Sequence, residues 1–251
     1  MEDAYDILAE IYDEFMGDPA ETQASVQQLL RELETRGIEL ADATVADLGC
    51  GTGRILPDLL ATGCRVLAVD RSAGMLQQAM DKLEDLDIAS DRVLFVQQDL
   101  RDLDLGGGLS ALVCLLDTVN HMTEPDDVRR FFQACSRELG EGGVFIFDVL
   151  RAEYMQEQFG EEIYYDVGAD YALLWSNDYD AASGLNRAQL TYFVETEDGL
   201  YRREDGEVAE RFHPEEKLTR WLYDAGFTTV EVDPPGMAPY SHARQYYLAT
   251  R

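Results

Sequence analysis

Positive charge is scarce in this sequence, and lysine is nearly absent. Lysine and arginine number 20 against 50 acidic residues, which gives a formal net charge of −30, and only Lys82 and Lys217 are lysines. Such a surface repels phosphate backbones, so nucleic-acid binding is not expected. An acidic, lysine-poor surface suits molar salt, in which charges are screened over roughly 3 Å. The composition therefore favours a protein of a halophile over an ordinary acidic protein.

Patterns of metal binding, disulfide formation and membrane insertion are also missing. The four cysteines have no C-x-x-C spacing and the three histidines no H-x-x-x-H spacing, so we predict reduced packing cysteines and no metal site. The acidic N-terminus lacks the basic and apolar parts of a secretory signal. No apolar run approaches the ~20 residues of a membrane helix. We therefore expect a cytoplasmic protein without membrane contact.

Apolar strands alternate with helices through the first 150 residues. Strands are predicted at 44–48, 65–70, 92–96, 109–116 and 143–149, and helices at 4–16, 20–36, 54–62, 72–83 and 124–139, the last ended by Gly140. A helix at 214–225 and a hairpin of strands at 227–233 and 244–250 follow. Continuous apolar strands between helices indicate a parallel sheet that is covered on both faces.

The pattern changes after about residue 160. Residues 162–213 contain aromatic-rich, alternating runs separated by turn residues, which predicts three or four antiparallel strands. The sequence thus predicts an α/β protein with a Rossmann-like, seven-stranded, mostly parallel sheet. Residues 1–160 and 214–251 would form this core, and residues 161–213 an inserted antiparallel β subdomain.

A glycine-rich turn follows the first strand, and acidic residues end the strands beside it. Gly49, Gly51 and Gly53 let the backbone approach a ligand, but Arg54 stands where a dinucleotide fingerprint needs glycine. Asp70 ends the second strand, where an acidic residue accepts both ribose hydroxyls of an adenosine. A carboxylate after the third strand, at Asp99, can accept from the adenine amino group, while the amide of the next residue donates to a ring nitrogen. Open parallel sheets bind ligands at this edge.

These segments resemble class I S-adenosylmethionine-dependent methyltransferases. DLGCGTG, VLAVDRSAGML and VQQDLRDL are similar to the first three motifs of that superfamily, within residues 40–150. YDILAEIYDEFM, LLDTVNHM, FDVL and the aromatic insertion resemble small uncharacterised bacterial methyltransferases, distantly similar to glycine and sugar-amine N-methyltransferases. Asp117, Asn120 and Arg244 match residues of that group, whereas Leu116 and Ala243 replace its cysteine and glutamate.

The resemblance implies S-adenosylmethionine as cofactor and a small-molecule nucleophile, at nitrogen or oxygen, as methyl acceptor. Tyr12 is expected over the cofactor and Met75 beside the adenine, although both also suit core packing. Asp47 is expected either to orient the glycine loop or to reach the methionine ammonium group. The predicted cofactor-binding residues are Tyr12, Asp47, Gly49, Cys50, Gly51, Gly53, Asp70, Arg71, Met75, Gln98, Asp99, Leu100 and Leu116.

Three residues are candidates for catalysis. His121 on a strand-end loop is either a base or acceptor-orienting residue, or a capping histidine. Asn120 either binds substrate or fixes the turn, and Arg211 either holds a carboxylate or forms a surface salt bridge. Because a sulfonium is already a good leaving group, the protein mainly positions the acceptor in line, and a base is needed only for a protonated acceptor.

Other functions stay open on the sequence alone. An aminopropyl transferase has the same cofactor fold, and a scaffold protein can bind S-adenosylmethionine without catalysis. A methyltransferase that acts on protein or RNA is a further alternative, as is a nucleotide-dependent oxidoreductase, which Arg54 opposes. Both a monomer and a homodimer are compatible with the sequence.

Overall fold

The structure is a computed structural model that describes residues 4–16, 20–86, 88, 90–159, 163–196, 198–237 and 242–251. Its strands are β1 (Thr44–Leu48), β2 (Arg65–Asp70), β3 (Val93–Gln97), β4 (Leu109–Cys114), β5 (Leu139–Leu150), β6 (Ile163–Val167), β7 (Tyr171–Asp180), β8 (Leu185–Glu195), β9 (Tyr201–Arg211), β10 (Thr229–Val232) and β11 (Arg244–Thr250). Its α-helices are α1 (Ala4–Leu8), α2 (Tyr12–Phe15), α3 (Ala20–Thr35), α4 (Leu56–Ala61), α5 (Ala73–Asp85), α6 (Pro125–Glu138), α7 (Ala152–Gln158) and α8 (Glu215–Asp224).

Seven strands form the main sheet in the order β10-β11-β5-β4-β1-β2-β3. The pairs β1–β2, β2–β3, β1–β4 and β4–β5 are parallel, and β11 is antiparallel to both β5 and β10. The predicted fold class is confirmed. Because the five parallel strands run in one direction, the segments that follow β1, β2, β3 and β4 meet at one edge of the sheet.

Helices cover both faces of this sheet, as the apolar strands predicted. On one face Leu29 and Leu33 of α3 and Leu59 of α4 belong to a buried apolar cluster with β1 and β2. On the other face Phe131 of α6 and Leu222 of α8 pack in a second cluster with β4, β5 and β11. Burial of such side chains stabilises the fold by about 1.5–3 kcal/mol each. No helix within the described ranges has the length and apolar character to cross a membrane.

The second sheet has the order β6-β7-β8-β9 and is antiparallel throughout. Its strands lie within the range predicted for the insertion, of which residues 161, 162 and 197 are outside the described residues. One face packs on the N-terminal segment, residues 4–16, through Ala4, Leu8 and Ile11. This segment thus lies between the two sheets.

Three predictions of local structure were wrong. The expected helix at 4–16 is two short helices, because Ile11 donates to the Leu8 carbonyl in a turn and both side chains pack on the second sheet. The strand predicted to reach residue 116 ends at Cys114, since Leu116 has a positive φ of 58°. Gly140 does not end α6 but lies within β5, which begins at the next residue after the helix.

Candidate active site

A cleft with a volume of about 230 Å³ lies at the carboxyl ends of the parallel strands. It is far larger than the space one water molecule needs, so it can hold a small-molecule ligand. Most of the predicted cofactor residues line it. They are Tyr12, Asp47, Gly49, Cys50, Gly51, Asp70, Arg71, Met75, Gln98, Asp99, Leu100 and Leu116.

The glycine loop forms one wall of the cleft. Gly49 and Gly51 have positive φ values of 72° and 52°, which L side chains rarely adopt. A Cβ atom at Gly49 would lie 2.5 Å from Thr118, so the loop after β4 approaches this backbone closely. Gly53 does not line the cleft, and its Cβ would lie 2.7 Å from Leu56. Gly53 therefore serves the packing of the loop against the helices behind it.

Asp70 joins the glycine loop to the start of α5. One carboxylate oxygen accepts the Gly51 N–H at 2.9 Å, and the other accepts the Ser72 N–H at 2.9 Å. Burial raises the pKa of Asp70, while these backbone donors lower it. Ser72 caps α5 by accepting the Met75 N–H at 3.0 Å. A carboxylate accepts up to about four hydrogen bonds, so Asp70 retains capacity for two hydroxyl groups.

Asp99 also lines the cleft. Its carboxylate accepts the Arg101 N–H at 2.9 Å and pairs with the Arg101 guanidinium, whose hydrogen bonds hold the pKa of Asp99 below its usual value. Arg101 also lines the cleft; it lies within the third motif, VQQDLRDL, but was not among the predicted site residues. The side chain of Gln98 bonds to the backbone of Asp104, which fixes the loop in which Asp99 stands.

Asp47 is a buried carboxylate with an unused oxygen. Its residue is 3% exposed, and the Oδ2 atom has no hydrogen-bond partner within the described part of the chain. Burial, together with the charge of Asp70, raises the pKa of Asp47 to about 8. A buried oxygen without a donor is costly. A ligand that places a cationic N–H group in the cleft would supply the missing donor.

The N-terminal segment closes the cleft from above. Tyr5 and Tyr12 line it and meet edge to face, with ring centroids 6.3 Å apart. Asp6 accepts the Gly74 N–H at 3.1 Å at the start of α5, and Asp13 pairs with Lys82 at 2.6 Å. Tyr5 was not among the predicted site residues, so its place in the cleft was missed.

His121 lies in the cleft at the end of a 3₁₀ turn, Thr118–His121. Its Nδ1 is 3.3 Å from the carbonyl oxygen of Ala209, which can only accept, so we place the proton of the neutral ring on Nδ1. Its Nε2 is 2.8 Å from the Tyr5 hydroxyl and therefore accepts from it. The two rings pack edge to face at 5.4 Å. The basic nitrogen of His121 is thus held toward the N-terminal segment.

A network of charges lies behind His121. Arg244 pairs with Asp117 and lies 3.5 Å from Asp148, which accepts the backbone N–H groups of Leu116 and Asp117. Burial, together with the charge of Asp117, raises the pKa of Glu210 well above its usual value. Glu210, Asp117 and His121 bring possible metal-ligand atoms within 4.8 Å of one another. The guanidinium already compensates charge there, and the arrangement is that of a hydrogen-bonded ionic network.

Two of the three predicted catalytic residues do not line the cleft. Asn120 is fully buried, donates to the carbonyl of Arg211 at 2.9 Å and accepts the Leu150 N–H at 3.0 Å. It thereby ties the 3₁₀ turn to the ends of β9 and β5. Arg211 lies at the end of β9 outside the cleft lining. His121 thus lines the same cleft as the predicted cofactor-binding residues, whereas Asn120 and Arg211 lie outside its lining.

Known proteins are similar to this chain in sequence and in fold. Residues 45–143 match a family model described as a methyltransferase domain. A Geobacillus protein that carries the name of a methyltransferase is 28% identical over 91% of this chain and 90% of its own length.

Solved structures extend the comparison to the whole chain. An S-adenosylmethionine-dependent methyltransferase from Clostridium acetobutylicum has a TM-score of 0.79 and 25% identity and covers 99% of both chains. A sugar N-methyltransferase from a Streptoalloteichus species has a TM-score of 0.76 and 21% identity, covering 100% of this chain and 94% of its own. By these similarities in sequence and fold, this chain is an S-adenosylmethionine-dependent methyltransferase with the class I fold.

Proposed function

We propose that the enzyme transfers the methyl group to a nitrogen or oxygen of a small molecule held beneath the N-terminal segment. The observation that carries this proposal is the position of His121, which shares the cleft with the cofactor residues and bonds to Tyr5 at 2.8 Å. The cleft is roofed by Tyr5 and Tyr12. A roof of this kind leaves room for a small acceptor rather than for a macromolecule. The similarity to a sugar N-methyltransferase supports the same class of acceptor.

Three carboxylates would hold the cofactor along the sheet edge. Asp70 would accept from the ribose hydroxyls, Asp99 from the adenine amino group, and Asp47 from the ammonium group. The 2.9 Å hydrogen bonds that fix Asp70 and the unused oxygen of Asp47 support these roles. When bound, S-adenosylmethionine supplies a methyl group on a sulfonium, which needs no further activation.

His121 and Tyr5 would orient the acceptor. Because Tyr5 donates its hydroxyl proton to Nε2 of His121, the Tyr5 oxygen keeps lone pairs that can accept an N–H or O–H of the acceptor. A proton released by the acceptor can pass through the Tyr5 hydroxyl to Nε2, while Nδ1–H stays bonded to the Ala209 carbonyl. Tyr12 and the loop of Leu116 would exclude water beside them. The main contribution of the chain is positioning.

We also propose that the enzyme works in a cytoplasm of high salt. The formal net charge of −30 and the presence of only two lysines support this setting. At molar salt the repulsion among surface carboxylates is screened over roughly 3 Å.

Methyl transfer can be tested with labelled S-adenosylmethionine and a panel of amino sugars, amino acids, amines and phenols. We expect turnover of one chemical class, with the kcat of Tyr5→Phe reduced at least about tenfold because its hydroxyl contact is lost. Tyr223→Phe, at an exposed tyrosine of α8, is the matched control and should keep full activity. Binding of the cofactor without turnover of any small molecule, together with labelling of a protein or RNA, would contradict the proposal.

A further inference from the structure

The guanidinium of Arg54 is a buried cation in the wall of the cleft. Arg54 follows the last glycine of the loop after β1 and stands two residues before α4, and its side chain is only 7% exposed. It lines the cleft together with Tyr12, Asp47 and Asp70. Because a buried charge is costly unless it is paired with an opposite charge, the anions near Arg54 indicate what this cation can bind.

Asp13 is a distant partner of Arg54 and is shared with another cation. An Nη atom of Arg54 lies 3.7 Å from a carboxylate oxygen of Asp13, which is longer than the ~2.7–2.9 Å of a charge-assisted hydrogen bond. The same carboxylate pairs with Lys82 at 2.6 Å and accepts from the Thr52 hydroxyl at 2.7 Å. A guanidinium carries five N–H donors in a planar fork. Arg54 can therefore keep its contacts with the protein and still donate to a ligand carboxylate.

Two other arginines line the cleft, and both are more accessible to water than Arg54. The Arg101 side chain is 49% exposed, and its guanidinium already pairs with Asp99. Arg71 belongs to an exposed position. Water screens the charge of an exposed side chain, whereas a buried guanidinium attracts a carboxylate more strongly. Of these three arginines, Arg54 is therefore the best placed to bind an anionic group of a ligand.

Arg54 and Asp47 stand on either side of the glycine loop. The loop is compact, because one of its backbone N–H groups donates to the carbonyl three residues earlier at 2.9 Å. Burial raises the pKa of the Tyr12 hydroxyl, and the charges of Arg54 and Asp70 act on that hydroxyl in opposite directions. The charge of Asp70 also acts on Asp47. Two groups of opposite charge thus flank one short loop in the wall of the cleft.

We propose that Arg54 binds the α-carboxylate of S-adenosylmethionine, so that Arg54 and Asp47 together recognise the zwitterionic amino-acid end of the cofactor. This role rests on the proposed function, in which Asp47 accepts from the ammonium group. In an amino acid the ammonium and the carboxylate are attached to one carbon, which matches an acidic and a basic side chain on either side of one loop. A guanidinium can join a carboxylate through two parallel hydrogen bonds. Arg54 thus determines the preference of the cleft for a ligand that carries a carboxylate.

Titration calorimetry with three ligands tests this role. They are S-adenosylmethionine, its decarboxylated form, which lacks only the carboxylate, and 5′-methylthioadenosine, which lacks the whole amino-acid end. The wild type should bind the first at least about tenfold more tightly than the second, because hydrogen bonds between charged groups are lost with the carboxylate. Arg54→Gln should lose this preference and bind methylthioadenosine as the wild type does, which also shows that its cleft is folded. A wild type without the preference, or an Arg54→Gln variant that retains it, overturns the proposal.

A matched control separates the contact from the overall charge of the chain. Arg220→Gln removes the same charge at a side chain of α8 that is 79% exposed, and it should keep the full preference. Arg54→Lys keeps the positive charge without the planar fork and should retain only part of the preference. Loss of the preference in Arg220→Gln as well as in Arg54→Gln would show that net charge decides it, and would overturn the role of Arg54.

Failure of the proposed function gives a different result from failure of this inference. All three ligands carry the ribose, so Asp70→Ala should weaken the binding of each by a similar factor and leave the preference unchanged. If the wild type binds methylthioadenosine through Asp70 but Arg54→Gln keeps the preference, only the role of Arg54 is refuted. If none of the three ligands binds to the wild type, the proposed cofactor site is refuted and the role of Arg54 with it.

Discussion

At the scale of single residues, the cleft beside the glycine loop is lined by carboxylates whose oxygens are incompletely hydrogen-bonded. Asp70 accepts two backbone N–H groups and still has free lone pairs, whereas Asp47 is buried with an oxygen that has no donor in the described residues. Both carry a pKa raised first by burial. Their ionised forms are therefore costly without a ligand, and a ligand with hydroxyl and ammonium donors relieves that cost.

Replacement of Asp70 by alanine is expected to weaken binding of S-adenosylmethionine by about 1–3 kcal/mol, because two ribose hydroxyls lose their acceptor. Titration calorimetry measures the change. Glu84→Ala, at an exposed position of α5, is the control and should leave the dissociation constant unchanged. An unaltered affinity in Asp70→Ala would show that the ribose lies elsewhere.

Cofactor binding is expected to release protons from Asp47. At pH 6 this carboxyl, with a pKa of about 8, is protonated in the free protein, while the ammonium group of the ligand is already charged. Pairing with the ammonium favours the ionised carboxylate, so close to one proton should leave on binding. Calorimetry in buffers of different ionisation enthalpy counts it. Asp47→Asn should release none, and equal release by both proteins would contradict the assignment.

The raised pKa of Asp47 also determines how its contribution to the free energy of unfolding changes with pH. Because the folded pKa of Asp47 lies above its ordinary value of 3.8, the folded chain binds the proton more tightly than the unfolded chain does. This contribution to the free energy of unfolding is complete below pH ~4 and is lost as the pH rises through about 8.

At the scale of elements, one 3₁₀ turn joins the two sheets beneath the cleft. The turn Thr118–His121 presents His121 to the cleft on one side and buries Asn120 on the other. Asn120 reaches the end of β9 through the Arg211 carbonyl and the end of β5 through the Leu150 N–H. The position of His121 therefore depends on contacts between segments that are far apart in sequence.

Asn120→Ala should lower the free energy of unfolding by about 2 kcal/mol or more, because a buried N–H and a buried carbonyl lose their partners. Denaturant unfolding measures the loss, and Gln77→Ala on the exposed face of α5 serves as control. Cofactor affinity of the folded variant should change little, since Asn120 does not line the cleft. A stable variant that has lost only turnover would instead assign Asn120 to catalysis.

At the scale of the whole molecule, charge and apolar surface are distributed unequally. The chain has fifty acidic residues, of which only Asp47, Glu138, Asp148 and Glu210 are buried within the described ranges, while the apolar side chains of Ile163, Tyr165 and Val167 are exposed. Self-repulsion of the acidic surface opposes the compact state at low salt and is screened at high salt. The stability of this chain should therefore depend on the ionic strength of the solution.

The melting temperature is expected to rise as KCl increases from low to multimolar concentration. Differential scanning calorimetry or fluorescence at fixed pH follows it, with a neutral osmolyte at matched water activity as control for effects other than screening. A melting temperature that does not respond to KCl would contradict the adaptation to high salt proposed from the composition.

Several features were predictable from the sequence because they depend on local pattern. The apolar runs of β1 and β2, the glycine loop between strand and helix, and the cap at Ser72 follow from strand periodicity, positive φ and side-chain hydrogen bonding. Since parallel strands end at one edge, the joint lining of the cleft by Asp47, Asp70 and Asp99 followed from their positions after strands. Their roles toward the cofactor stay predictions.

Only the tertiary structure decided what surrounds His121 in the cleft. Tyr5 contacts His121, and Glu210 lies close to Asp117. The residues of each pair are far apart in sequence, so a local periodic pattern cannot predict their contact. The N-terminal helix breaks near Ile11 because packing on the second sheet overrides its helical pattern. Local periodicity thus determined the strands and their ligand-binding edge, whereas contacts between distant segments determined how that edge is closed.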